Sequence, residues 1–446
     1  MRGNGDSWRK YRWHWKCAEK TVLTEKLIHY FRQIPDYRCG REKRHDLGEM
    51  LVCVTLGFLC GRTTIRRSLK WCKTHLEELR KHMNLKYGIA SPSTITRMLN
   101  GIDEELALYA FMEWIGEIVE SRNTHLAIDG KALCGATEKT KGETTPMLLN
   151  VVETVRGLIL AQLPVDSKTN EITAIPELLK LLDISGSIVT IDAVGTQTAI
   201  MEQIHEQGGH FVLTVKKNQP EAYEEIHTFM DKLGAEDLKR KKGEAMDPGM
   251  KEFLEKYEEI SQMEKNRDRN EYRTCQICKD ASNLTKSQKE WPHVQSIGRI
   301  KQVRIPKEKD SQRNDVTPSK EEFLEKGSRR IPAPSAGEGA GKDVQCTALI
   351  SDLILTAEEL GSIKRMHWSI ENRLHHVLDD TFREDRSPAK KSRNNLSLIR
   401  KYAYNILRLA MYETGLANIM TEMMDCFCDN AALRERYVFQ GIASLY

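Results

Sequence analysis

The chain has 446 residues, of which 40% are hydrophobic and 30% charged, a composition that supports about two or three folded domains and excludes wholesale disorder. Its formal net charge of +4 is too small for a whole-chain electrostatic case for nucleic-acid binding, so any such case rests on local basic clusters. The opening MRGNGDSWRKYRWHWKCAEK lacks the apolar core of a secretory signal, the apolar run at 50–60 is too short for a bilayer, and eleven irregularly spaced cysteines point to reduced thiols in a cytoplasm.

Residues 1–27 read as a basic and aromatic extension, and 28–118 as a helical domain. Within it, HDLGEMLVCVTLGFLCG carries an Asp46 cap, a continuous apolar face and a closing Gly61, and EELALYAFMEWIGEIVE repeats apolar residues at helical spacing. From Thr124 the pattern changes. HLAIDG and TPMLLNVVETVRGLILAQLPV are short β-rich runs, the second split by Arg156-Gly157 as in a hairpin. EITAIPELLKLLDI reads as a helix, SIVTID as a buried strand, TQTAIMEQIHEQGG as a helix and HFVLTVKKN as a strand. A hairpin followed by strand–helix alternation predicts an α/β fold, a mixed sheet with helices packed on it, with its first part at 119–220.

Order decays over 221–345, which reads as an insertion, part β and part flexible linker. Strands YRTCQICKD and VQSIGRIKQVRI lie within it, and the Cys275-Cys278 pair would point its thiols to opposite faces. The second part of the layer is expected at 346–415, with one long helical stretch from Ala357 to about Thr414, and a C-terminal tail at 416–446.

Two buried strands end in an acid: LAI runs into Asp129, and IVTI into Asp192. Reactive groups gather at strand ends in open α/β sheets. Two carboxylates brought together repel unless a cation lies between them, and magnesium suits because it takes oxygen ligands from one or two carboxylates. By pattern alone each acid could instead open an ordinary turn. On a helix through IKRMHWSIENRLHHVLDDTFRED, the residues His367, Glu371 and His375 share one face, with Asp379, Asp380 and Glu384 as competing acids.

AIDGKALCGA, SKTNEITAIPELLKLLDISGSIVTIDAVGTQ, GGHFVLTVKKNQP and HWSIENRLHHVLDDTFRED, in that order, resemble the H-repeat-associated insertion-sequence transposases, a DDE family with an RNase H-like core. The helical front, from HYFRQIPDYRCG through GIASPSTITRML, resembles that family's N-terminal associated domain. The resemblance implies Asp129, Asp192 and Glu371 as catalytic acids and metal ligands for two Mg2+ ions, or Mn2+ in their place. It further implies metal-dependent cleavage and strand transfer on double-stranded DNA, both element ends and target, by a dimer on DNA in a bacterial, nucleoid-associated cytoplasmic setting. A nuclease of the same fold without strand transfer, or a retired relative that only binds DNA, are the alternatives. His376 stands where the family usually carries Trp, Asp380 where it carries an apolar residue, and the low-complexity stretch at 306–342 is longer than usual.

DNA contacts are expected from Lys131, Lys216, Lys217 and Asn218 near the strand ends and from His367 and His375 beside Glu371. The run Arg383, Arg386, Lys390, Lys391 and Arg393, continuing to Arg400 and Lys401, is the strongest local basic footprint. Arg66, Arg67, Lys70 and Lys73, beside Trp71, are assigned to the element ends; by base rate such runs are solvated helix faces.

Overall fold

The computed structural model describes residues 24–40, 43–133, 145–165, 171–265, 269–284, 291–306, 308–309, 315–316, 344–387, 389–443 and 445. The N-terminal extension up to residue 23 and most of the low-complexity stretch lie outside them.

The sheet begins with β1 (His125–Ala132), β2 (Met147–Glu153), β3 (Leu158–Val165), β4 (Ile188–Ile191) and β5 (His210–Val215), ordered β3-β2-β1-β4-β5. β1 pairs antiparallel with β2 and parallel with β4, and β4 pairs parallel with β5. This is the mixed sheet of an RNase H-like core. The β2–β3 hairpin turns through Gly157 at φ 75°, a left-handed conformation that glycine adopts without a Cβ penalty. Helices Glu171–Lys180 and Thr198–Glu206 connect the parallel strands. They bury Ile175, Leu178, Leu179, Ile200, Met201 and Ile204, an apolar stripe at helical spacing.

The insertion differs from its reading as a stretch of decaying order. Pro220–Lys242 is a single helix that buries Ile226, Phe229, Met230 and Leu233. Most of its many charges lie off that stripe and hid it, while Glu236 and Asp237 are buried too. Strands β6 (Tyr257–Lys265), β7 (Arg269–Cys278) and β8 (Ser296–Pro306) join β11 (Val344–Ser351) beside β5 and extend the same sheet to nine strands; the short β9 (Glu308–Lys309) and β10 (Asp315–Val316) pair apart from it. Cys275 packs with Val212 and Leu360 while Cys278 lies in the main core, so the two thiols do face opposite sides.

The C-terminal helical stretch is not continuous. Helix Ala357–Ile370 starts on a Thr356/Glu359 capping box, passes into π-helical turns at Glu371–His375 and Val377–Thr381, and ends before Arg383 at φ 53°. The chain then restarts as helix Arg393–Thr414, whose buried residues lie nearly all round it. That helix packs against β3 and against helices Leu47–Leu59 and Glu104–Gly116 of the front, and Asn395 donates to the carbonyls of Leu99 and Ile102. The described residues after 415, read as a C-terminal tail, pack onto the helical front. Helix Met420–Asp429 packs on Leu47–Leu59, Arg434 pairs with Glu78 at 2.7 Å, and Ile442 exchanges hydrogen bonds with Thr24.

Candidate active site

The parallel register sets Ile128 of β1 against Ile191 of β4, and Ile191 against Leu213 of β5. One residue further along each strand, Asp129, Asp192 and Thr214 form a row across the sheet. Alternation puts Thr190 on the same face as Asp192, and helix Ala357–Ile370 covers that face. His367 Nδ1 lies 3.0 Å from Thr190 Oγ1, and Lys364 Nζ donates to Thr214 Oγ1 at 2.8 Å. Glu371 comes two turns after Lys364, at the exposed end of the helix where the π-helical turns begin. Short π-helical segments are costly and often mark functional sites.

The carboxylates act on one another. Burial pushes Asp129 up to about 7, and the charges of Asp192, Glu371 and Glu171 add to it against a bond from the Gly130 backbone. Asp192 is also partly buried, which opposes ionisation, yet Lys216 outweighs this with a 2.7 Å bond and holds its carboxyl below the ordinary range. An acid whose folded pKa exceeds its unfolded value of about 4 favours folding below that value and loses the contribution as pH rises through the folded value. Asp129 therefore withdraws stability between about pH 4 and about 7. Side-chain carboxyl NMR of the metal-free protein should show Asp129 titrating near 7; a midpoint near 4 would contradict this crowding.

The donor set suits a divalent cation: two adjacent carboxylates, a third negative charge nearby, and an ammonium standing against one of them. Among the described residues no three His, Cys, Asp or Glu side chains form a group able to hold an ion. Magnesium does not require one, since it is commonly held by one or two carboxylates and fills its shell with water and phosphate oxygens. Asp129 and Asp192 fit that pattern.

Family comparison then decides the class. Residues 120–406 match the family described as Transposase DDE domain, and 28–115 match that described as DDE_Tnp_1-associated. The chain belongs to the DDE transposase family. It is 28% identical over 388 residues to YbfL of Escherichia coli (strain K12), covering 86% of this chain and 90% of that one. The same identity and shares hold for the H repeat-associated protein YhhI of that organism, provisionally named a transposase. An uncharacterized protein from the dhlA 3' region of Xanthobacter autotrophicus is 34% identical over 209 residues, 45% of this chain and 69% of that one.

The basic residues of this transposase divide by burial. Lys216, Lys217 and Asn218 are exposed just beyond β5, with Asn218 donating to the Ala193 carbonyl at 3.0 Å. Arg383, Arg386, Lys390 and Lys391 are exposed and Arg393 half-buried. Arg66, Arg67, Lys70 and Lys73 line the open face of helix Ile65–Thr74, but Trp71 is buried under Arg434 and stacked on His75. Lys131, His367, Arg400 and Lys401 are buried. Lys131 turns instead into Asp379, Glu384 and Asp385 at 2.5, 3.2 and 3.5 Å. His375 Nδ1 sits 3.6 Å from Asp129 Oδ2, and burial, helped by Lys131, drops it to about 4, so it is a neutral neighbour of that acid near pH 7.

Two neighbours of these acids escaped the reading of the sequence. Glu171, at the start of its helix, approaches β1 so closely that a Cβ on Gly130 would meet its Oε1 at 2.9 Å. Lys364, nearly fully buried, had one signal: it precedes Glu371 by seven residues and so shares its helix face.

Proposed function

We propose that this transposase cuts and joins DNA through Asp129, Asp192 and Glu371. The observation that carries the reading is the row of Asp129 and Asp192 on adjacent parallel strands beneath the helix that ends in Glu371. The reaction replaces one phosphodiester linkage with another: a water or a DNA 3'-hydroxyl forms a new P–O bond as the bond to the leaving oxygen breaks. A divalent ion on these carboxylates supplies Lewis acidity for the phosphoryl oxygens and lowers the pKa of the attacking hydroxyl. The chain's own residues then position and neutralise, which is where most of the acceleration in such transfers arises. Glu371 stands at the exposed rim, on the side from which a DNA strand reaches the pair. Lys216 leaves Asp192 for a phosphate oxygen, and Lys217 adds a second cation beside it. The exposed run from Arg383 to Lys391 and the face of helix Ile65–Thr74 follow the duplex backbone and the element ends, two of which a dimer would bring together.

The test is a cleavage and joining assay on labelled DNA bearing the flanking element ends, with Mg2+, with EDTA, and with Glu371→Ala. Cut and joined products that need the metal and vanish in the variant are expected. Cutting without joined products would make the protein a nuclease. Binding without metal-dependent chemistry would leave only a DNA-binding relative.

A further inference from the structure

Lys364 is a buried cation where the sheet already gathers acids. Its relative exposure is 2%. Its ammonium donates to Thr214 Oγ1 at 2.8 Å and lies 5.4 Å from the centre of the Trp368 ring. Thr214 is the next member, after Asp129 and Asp192, of the row across β1, β4 and β5. No salt bridge holds the ammonium among the described residues, so its charge is balanced through space by the carboxylates above it. Burying an ammonium on one hydroxyl and an aromatic face is unfavourable unless such a field offsets it.

The neighbouring cation behaves differently. Lys216 reaches Asp192 from solvent on a side chain that is 54% exposed and can swing away when phosphate or metal arrives. Lys364 cannot, because strand β5 and its own helix enclose it.

We infer that Lys364 is a positioning residue, a fixed countercharge beneath Asp129 and Asp192 that sets how strongly the acid pair binds divalent metal. It lets the carboxylates share one edge of the sheet in the metal-free protein and makes metal binding weaker and more readily reversed than the bare acids would allow. Burial, with Lys216 adding to it, brings Lys364 down to about 8 against the pull of Asp192, Asp129 and Glu371, so it still carries its charge near neutral pH. This role rests on Asp129 and Asp192 being the metal-holding pair.

The experiment titrates Mn2+ into the full-length, DNA-free protein and reads the free ion by electron paramagnetic resonance. Lys364→Met removes the charge and keeps the side-chain volume. It should bind Mn2+ about tenfold more tightly or better, since one unit charge is lost from a partly buried site. Lys364→Arg keeps the charge and should stay within about threefold of wild type. Lys364→Gln can still donate to Thr214, so it carries the same expectation as Met should the Met variant fail to fold. A merely structural lysine would weaken or leave unchanged the binding on removal, and either result overturns the inference, as does tightening in the Arg variant. Asp192→Asn separates the two claims. If wild type binds no Mn2+, or Asp192→Asn binds it equally well, the metal-site reading itself falls and the role of Lys364 falls with it.

Discussion

Replacing Asp192 with Asn is expected to lower DNA cleavage at least about 1000-fold, a loss of about 4 kcal/mol of transition-state stabilisation, while binding to element ends stays within about threefold. Asp192 is the acid that Lys216 holds ionised, so it is ready to accept a metal without first losing a proton. Asparagine keeps the shape and removes the charge. It leaves Lys216 without its carboxylate partner, an arrangement that attracts phosphate but disfavours a divalent ion. Folding should not suffer, because the side chain is 44% exposed and its bond to Lys216 is of the solvent-screened kind that contributes little. Single-turnover cleavage under saturating Mg2+, beside a filter-binding titration, measures both quantities. Cleavage within tenfold of wild type would remove Asp192 from the chemistry.

The largest stability effect is expected at Glu384, which the sequence offers only as a rival for the third catalytic acid. It is buried, 3.2 Å from Lys131 and 3.8 Å from Arg400. Burial alone would raise its pKa, but Lys131, Arg400 and Lys401 together keep it below the ordinary range. Lys401 in turn donates to Asn150 Oδ1 and Gln162 Oε1 and is brought by burial down to about 7, with Glu384 opposing that fall. Removing one member of a buried charge network leaves the others uncompensated and costs about 3–5 kcal/mol. Glu384→Ala should therefore reduce native-state amide protection in β1 and in helix Arg393–Thr414 by about that amount. Hydrogen exchange is the appropriate readout, since a chain of this size need not unfold in one step. A loss below about 1 kcal/mol would show that Lys131 is satisfied by Asp379 and Asp385 alone. The network also joins β1, which carries Asp129, to the segment following Glu371, so a loosened Glu384 variant should cut DNA more slowly as well.

The core sheet was legible because a parallel strand buried on both faces writes itself as an apolar run, and because Asp129 and Asp192 break two such runs at the same place. The hairpin was legible for a similar reason: Arg156-Gly157 interrupts an apolar stretch where only a turn fits. Charge was read less well. Lys131, Arg400 and Lys401 look like surface cations in sequence, and only three-dimensional packing brings Asp379, Glu384 and Asp385 to them. Helix Pro220–Lys242 was missed because its charged residues outnumber a stripe that is still sufficient to bury it. The π-helical turns after Ile370 leave no mark on a 3.6-residue period. His375, which ordinary helical spacing already sets on the face of Glu371, still lies beside Asp129.

The most direct test is anomalous diffraction from crystals of the protein soaked in Mn2+. The expected result is a manganese peak at the carboxylates of Asp129 and Asp192, with Lys216 displaced from Asp192. Manganese absent from that pair, or bound instead among Asp379, Glu384 and Asp385, would contradict the assignment of the site.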